Sequence, residues 1–475
     1  MSRISAARLC RLLGTWNEGK GVLAEQLASA LIELVTSRNL PIGGIVPSER
    51  ALADALAVGR GTISAAYSSL REIGVLDSRR GSGSRLVTPT ELRHADGRIT
   101  ASTRLTGEDE FAQSYTDMSS GALEPSPLLI EVLKEFTPRQ FGDIVHGHGY
   151  HPAGLLSLRW AISQYYRELG VDAHPDNILV TSGAQQAVWL LFNTFLDPGD
   201  PVVIEDPSYR GSLEALRRRG ARILTVPMRA DGLDMQALSD VLRKSRPKML
   251  YFFPEAQNPT GATMPQEKRE QLAELLRCYN VTVVEDSSQS ELQVPLGSTP
   301  RPFHPLVDPG RIATVGTLSK LFWGGLRIGW VLASKAAIRR LISAKAASDL
   351  GSAVVDQHIA VHLLNRVDLA RRYRQRELSG HLDVAEAEIN AATRGWTWNL
   401  PVGGSAIWMR IPDVSAIKIC QQAQRKQLIL SAGPGYSANE NFGDYIRFPF
   451  VRTRKVIREA VATIAELSAT AGEAA

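Results

Sequence analysis

The stretch TLSKLFWGGLR, residues 317–327, sets Lys320 among small hydroxyl residues and reaches Arg327 after two glycines. Lys320 offers an amine to a carbonyl, and Thr317, Ser319 and Arg327 offer donors and a charge to a phosphate. Four other short stretches supply complementary groups. SGAQQ (182–186) carries Ser182, Gly183, Ala184 and Gln185 into a helix start, where backbone N–H groups can cradle an anion. EDPSY (205–209) offers Tyr209 for stacking on a ring, and QNPTG (257–261) offers the Asn258 amide as a donor to a ring oxygen. VVEDSS (283–288) ends on Asp286 and Ser288, and the Asp286 carboxylate can hold a ring nitrogen protonated. Together these groups suit a phosphorylated heteroaromatic aldehyde.

The elements that must position them alternate. Short β-branched runs lie at Ile178–Thr181, Pro201–Ile204, Arg222–Val226, Met249–Phe253, Val281–Val284 and Ile312–Val315, with helical patterns such as Gln185–Phe195 and Gln266–Cys278 between them. That alternation predicts an α/β domain with a mostly parallel sheet. Each candidate group follows a run, at the strand ends where open α/β sheets bind ligands. Singly, each has an ordinary use: NPTG is a serviceable turn, and an Asp after a strand commonly caps a helix. Five in this order carry more weight. Residues 353–391 read as one long helical pattern, and a smaller α+β lobe follows.

The N-terminal segment is organised differently. In PSERALADALAVGRGTISAAYSSLREIG (47–74), Ser48 is placed to cap a helix with Ala51, Leu52 and Leu56 on one face. Val58-Gly59 breaks it, and a second helix from Arg60 turns Ile63, Ala66, Tyr67 and Leu70 inward. That is a helix-turn-helix, with Arg60, Thr62 and Ser64 at the end that enters a major groove. VLDSRRGSGSRLV (75–87) reads as a hairpin wing whose Arg79 and Arg80 suit phosphates or a minor groove. Polar residues 88–115 read as a linker.

The 475 residues, 44% hydrophobic and 22% charged, predict more than one globular domain. The net charge is +5, and residues 1–88 hold 11 basic against 7 acidic side chains. A basic end domain hints at nucleic acid. No apolar run approaches the roughly 18 residues of a membrane span. The first 16 residues alternate Arg with apolar side chains, as a short amphipathic helix does and a signal peptide does not. Cys10, Cys278 and Cys420 are odd in number and far apart, which argues against a disulfide framework and predicts a cytoplasmic chain. The nine histidines show no metal-ligand spacing.

Residues 22–87 resemble the GntR-type winged helix-turn-helix. The likeness rests on Pro47-Ser48-Glu49-Arg50, Leu52-Ala53, Arg60, Thr62, Ala66-Tyr67, Leu70 and Gly81-Ser82-Gly83. It departs at Gly59, where the family usually has Ser. The resemblance implies a DNA-binding dimer, with Arg50, Arg60, Thr62, Arg80 and Gly83 at contact or wing positions. Residues 116–470 resemble fold-type I aminotransferases on the five stretches above and on GDYIRFPF (443–450). This second resemblance implies pyridoxal 5'-phosphate as cofactor and Lys320 as its Schiff-base amine. It also implies Arg447 as the bidentate grip on a substrate α-carboxylate.

Two departures stand out. Relatives carry a tyrosine where this chain has Ser288, so the donor to the phenolic oxygen falls to Asn258. Relatives also carry a Tyr-rich stretch before Pro-Ala-Gly that reaches the partner's phosphate. Here HGHGYHPAG (146–154) offers Tyr150, with His146 and His148 as alternatives.

The two halves joined resemble the MocR-type arrangement within the GntR regulators. It implies domains at 1–87 and 116–475, a head-to-tail homodimer, and a regulator that senses an amino compound or the cofactor through the Lys320 aldimine. A working amino acid aminotransferase with an accessory DNA-binding domain is the alternative. A third reading makes the large domain a scaffold without cofactor, and the Lys320–Asp286 pair argues against it.

Overall fold

The computed structural model describes residues 4–14, 16–17, 22–36, 40, 44–72, 75–79, 83–86, 115–136, 142, 145, 147–393 and 395–472. The chain divides into two units, 1–101 and 102–475. Of the expected linker, only Tyr115 falls among the described residues.

In the first unit, helices Ala6–Leu13, Leu23–Thr36, Glu49–Leu56 and Arg60–Glu72 precede an antiparallel hairpin of β1 (Leu76–Arg79) and β2 (Gly83–Leu86). Ser48 caps the third helix, its Oγ accepting from the Ala51 N–H at 3.3 Å. Leu52 and Ala53 are the buried pair on that helix, while Ala51 is exposed and Leu56 half-buried, so the expected inward face is turned by a residue. The helix ends at Ala57, in the left-handed region at φ 53°, one residue before the expected break. Ile63, Ala66, Tyr67 and Leu70 are all buried, as i, i+3, i+4, i+7 spacing on the fourth helix requires. Tyr67 ties the helix pair to the segment that leads into it by donating to the Pro47 carbonyl at 3.0 Å. Residues 44–46 add a third edge to the wing: Leu86 N–H donates to Gly44 O, and Val46 N–H to Ser84 O.

The second unit opens with β3 (Thr116–Asp117). It is then built on strands β4 (Ile178–Thr181), β5 (Pro201–Asp206), β6 (Arg222–Arg229), β7 (Gly232–Leu233), β8 (Met249–Phe252), β9 (Thr282–Asp286), β10 (Ile312–Thr317) and β11 (Gly329–Ala333). These eight form one sheet in the order β4-β11-β10-β9-β8-β5-β6-β7. The run β10-β9-β8-β5-β6 is parallel, while β11 and β7 run against their neighbours. Strands β5, β9 and β10 each run two residues past their expected C-terminal ends, which sets Asp286 and Thr317 as final strand residues. Helix Ala184–Phe195 packs Ala187, Val188 and Leu191 on one face of the sheet, and helix Gln266–Arg277 packs Leu272, Ala273 and Leu276 on the other. Fully burying one such leucine stabilises by about 1.5–3 kcal/mol.

The smaller lobe is an antiparallel sheet of β12 (Thr397–Trp398), β13 (Ala406–Arg410), β15 (Ser431–Ala432) and β16 (Tyr445–Pro449), while β14 (Leu428–Ile429) pairs with β3. Helices Val367–Ala392, Ala416–Arg425 and Arg454–Gly472 complete it. The long helical pattern expected over 353–391 is two helices, Val354–Leu364 and Val367–Ala392. The break falls at Asn365-Arg366, where both N–H groups turn back to the Leu363 carbonyl. Asparagine favours such local turns over helix interiors.

Candidate functional site

A cavity of about 190 Å³ opens at the C-terminal ends of the central strands. The loop after β10 supplies Lys320 and Ser319, and Thr317 ends that strand. Asp286 ends β9, Asn258 follows β8, and Tyr209 follows β5. Ala184 and Gln185 enter from the helix after β4, and Arg327 comes from the far side of the Lys320 loop. Nine of the residues singled out in the sequence thus line one space. Ser182 and Gly183 adjoin it through Arg327, whose Nη2 donates to the Ser182 carbonyl at 2.7 Å.

The anion end is built from backbone. Gly183 precedes the helix at φ 85°, and a Cβ there would lie 2.6 Å from Arg327 Nη2, so only glycine lets the guanidinium come this close. The N–H groups of the first helical turn have no partner within the helix and point outward. The Ser182 N–H, in contrast, is taken by Gln186 Oε1 at 2.7 Å. Gln186 in turn donates to Asp349, whose carboxylate accepts from the buried Lys345. Gln185 points its side-chain nitrogen at the Gly211 carbonyl, 3.2 Å away, and its buried Oε1 has no partner. Thr317 Oγ1 donates to the Ile328 carbonyl at 2.7 Å and accepts from the Ser319 N–H at 3.1 Å, fixing the loop ahead of Lys320.

The carboxylate end is deep. Asp286 is 1% exposed, and burial raises its pKa above the usual carboxylate range. Its Oδ1 accepts from the Ser288 N–H at 2.9 Å and its Oδ2 from Tyr251 Oη at 2.5 Å. Ser288 also lines the cavity. Neither Asp286 contact is a cation, so a protonated ring nitrogen in the cavity matches an unmet need of this carboxylate. Burial, and then the Asp286 charge, push the Tyr209 phenol up to about 12, so its ring stays neutral beside the cavity.

Lys320 is half-buried and its Nζ lies 3.5 Å from the Gly121 carbonyl. Burial is the main cause that lowers its pKa to about 8, helped by the charges of Arg447, Arg327 and Arg452. A neutral, nucleophilic amine is therefore accessible near neutrality. Arg447, on β16, is 5% exposed, and burial lowers its pKa. Its Nε donates to Asn258 Oδ1 at 3.3 Å, which leaves the Asn258 NH2 as a donor for the cavity. Its Nη2 reaches Ser405 Oγ at 3.4 Å, and Ser405 donates to the Gly121 carbonyl at 3.0 Å.

Tyr251, Gly121, Ser405, Gln289 and Ala122 escaped the sequence reading. Tyr251 lay hidden in the strand run MLYFF, where an aromatic is ordinary. A Cβ at Gly121 would sit 2.4 Å from both Arg447 Nη2 and Ser405 Oγ, but a lone glycine gives no signal of that in sequence. Tyr150 does not line the cavity; it is 61% exposed and stacks on His148 at 5.9 Å. His146 lies outside the described residues.

In the first unit, Arg50 and Arg60 are exposed and Thr62 and Ser64 half-buried on the two helices of the pair. Glu49 lies 3.9 Å from Arg60 and 3.4 Å from Arg71. Arg79 and Gly83 face each other across the hairpin register, and Arg80 lies outside the described residues. Among the described residues no cluster suits a metal ion, and no helix is long and apolar enough to cross a membrane.

Residues 114–464 match the family model for aminotransferase class I and II, and residues 23–86 match that for bacterial regulatory proteins of the gntR family. An uncharacterized HTH-type transcriptional regulator of Bacillus subtilis, YdfD, is 28% identical over 90% of this chain and 92% of its own length. A 2-aminoadipate transaminase of Thermus thermophilus is 30% identical over 70% of this chain and 80% of its own. The solved structure of LysN, an alpha-aminoadipate aminotransferase of Thermus thermophilus complexed with N-(5'-phosphopyridoxyl)-L-leucine, superposes with a TM-score of 0.71. It is 28% identical and covers 80% of this chain and 98% of its own.

Proposed function

The chain belongs to the class I and II aminotransferases and carries a gntR-family domain ahead of that fold, and from this premise we propose a transcriptional regulator whose DNA binding answers to an amino compound held beside Lys320. Its cofactor is pyridoxal 5'-phosphate. Lys320 is the amine for the cofactor's aldehyde, and Asp286 faces the ring nitrogen. Tyr209 would stack on the ring, and Asn258 would donate to its oxygen. The N–H groups of Gly183, Ala184 and Gln185, with Thr317, Ser319 and Arg327, hold the phosphate. When bound, the cofactor supplies an electron sink for bonds at the α-carbon of an amino compound.

The observation that carries this reading is the single cavity joining Lys320 to Asp286, with Arg447 buried 3.3 Å from Asn258 at its side. Arg447 orients an effector carboxylate. Asn258 links that grip to the cofactor, and Lys320, made less basic by burial, can give or take a proton at Nζ. Occupancy then favours one arrangement of a dimer, and the DNA-binding ends follow, because a ligand shifts an equilibrium by its differential affinity for the two states. In this reading the domains are 1–87 and 116–475 with a linker at 88–115, the dimer is head-to-tail, and the protein works in the cytoplasm.

A complete Lys320, Asp286, Asn258 and Arg447 set also supports a second reading, a working amino acid aminotransferase with a DNA-binding domain. The visible spectrum of the purified protein separates the two. A cofactor band that shifts with an amino acid and persists, alongside altered promoter binding, supports the regulator. A band that bleaches and returns on adding an oxo acid, with sustained oxo-acid production, supports turnover instead.

A further inference from the structure

A second cavity, about 280 Å³, lies on the other side of the Gln257–Gly261 turn from the cofactor cavity. Asn258 lines the first cavity, and Thr260 and Ala262 line the second. The turn between them is rigid. Gln257 Nε2 donates to the buried Glu205 at 3.0 Å and to the Pro207 carbonyl at 2.8 Å. Its Oε1 accepts from both the N–H and the hydroxyl of Thr260, at 3.0 and 2.7 Å.

The far wall is aromatic. Trp408 stacks on Tyr445 with ring centres 5.2 Å apart and planes 22° from parallel, and Phe442 meets both rings edge-on at 5.6 and 5.4 Å. Leu400 and Val402 stand at the rim, 55% and 44% exposed, leaving apolar surface to water. Among the described residues, the Trp408 indole N–H and the Tyr445 hydroxyl have no hydrogen-bond partner. Neither atom is among the buried unpartnered ones, so both donors stay open at the cavity. Arg229 also lines the space; it binds Asp234 through Nε and Nη2 and keeps Nη1 free.

We propose that this cavity is a second ligand site, for a small planar aromatic carboxylate. The stacked wall and apolar rim fit a flat ring. Unpartnered donors and the free Arg229 nitrogen fit acceptor oxygens on its edge. An aliphatic acid gains the charge contact but loses the ring contact, and aromatic pairs contribute beyond their buried area.

The test uses the full chain loaded with pyridoxal 5'-phosphate and titrates indole-3-carboxylate and cyclohexanecarboxylate by calorimetry and tryptophan fluorescence. Indole-3-carboxylate binds and quenches fluorescence, and the aliphatic acid binds at least about tenfold more weakly. Leu400→Glu, an exposed position that leaves the fold alone, weakens the aromatic acid by about tenfold or more through like charge at the rim. Tyr445→Phe, which removes only the hydroxyl, weakens it by roughly fivefold. The visible cofactor band does not move as the acid binds. Absence of binding at millimolar acid, equal binding of the two acids, or a cofactor band that shifts with the acid overturns the proposal, the last by placing the acid in the cofactor cavity.

Discussion

Tyr251 Oη donates to Asp286 Oδ2 at 2.5 Å, and both side chains are almost wholly out of water. The phenol is the one side-chain donor from a neighbouring strand that reaches this carboxylate among the described residues. Desolvation disfavours the charged form of Asp286, and the Tyr251 bond works against that. A hydrogen bond to a charged group contributes about 1.5–3 kcal/mol. Tyr251→Phe therefore raises the Asp286 pKa further and loosens the grip on a protonated ring nitrogen. The expected result is weaker pyridoxal 5'-phosphate binding by spectroscopic titration, with the urea midpoint of the cofactor-free protein lowered. Unchanged affinity would sever Tyr251 from the role argued for it.

Lys320 sets a pH dependence of the cofactor-free protein. Its folded pKa, about 8, lies below the ordinary 10.5 because the amine is buried among arginines. Between those values the unfolded chain binds the extra proton, so stability rises with pH through this window. Below pH 8 the folded state must hold a charged amine in a poor place. Lys320→Met removes that burden and is expected to stabilise the protein at pH 7 by about 1–3 kcal/mol. The gap closes as pH approaches 10.5. Melting curves at pH 7 and 10 measure it, and a variant that is no more stable at pH 7 contradicts the account.

The phosphate cradle depends on Gly183. An alanine there meets Arg327 Nη2 at 2.6 Å and must adopt φ 85°, where a side chain costs roughly 1–2 kcal/mol. The guanidinium is pushed away and its bond to the Ser182 carbonyl breaks. Gly183→Ala is expected to weaken pyridoxal 5'-phosphate at least about tenfold while leaving pyridoxal, which has no phosphate, almost unaffected. Equal losses for both compounds would point to a general distortion instead.

Strand runs and stretches such as SGAQQ and TLSK were legible because each joins a β-branched run to a chemically distinctive end, and the sheet aligns those ends. Less visible were groups that act through space. Gly121 and Ser405 are 284 positions apart and meet only through the fold. The Asn365-Arg366 break escaped because the apolar pattern continues across it, and one turn of backbone decides between one helix and two. The engaged Ser182 N–H escaped for a similar reason: Gln186 was read as part of the helix, and its side chain folds back to the helix start.

On the DNA-binding unit, Arg60 has its side chain 74% exposed and only a long 3.9 Å contact with Glu49. It is free to meet a phosphate or a base edge. Arg60→Ala is expected to weaken operator binding without unfolding the helix pair. If the contact is to phosphate, the slope of log affinity against log salt falls by about one. Loss of sequence preference at one base position, with the slope unchanged, would assign Arg60 to base reading. An unchanged affinity would remove it from the interface.

Arg447 distinguishes the kind of effector. Its Nε and Nη2 engage Asn258 and Ser405, so the guanidinium is held at a fixed angle in a buried site. A bidentate grip needs that planar fork, and lysine presents only a point charge. Arg447→Lys is therefore expected to lower the response to α-amino acids by about 10- to 100-fold, the worth of roughly 1.4–3 kcal/mol. Amines without a carboxylate should lose little, because they never used the fork. The visible cofactor band, titrated with an amino acid and with its decarboxylated amine, reads both at once. Equal losses would show that Arg447 supports the cavity through Asn258 and does not grip the effector, and the assignment of the carboxylate would fall with it.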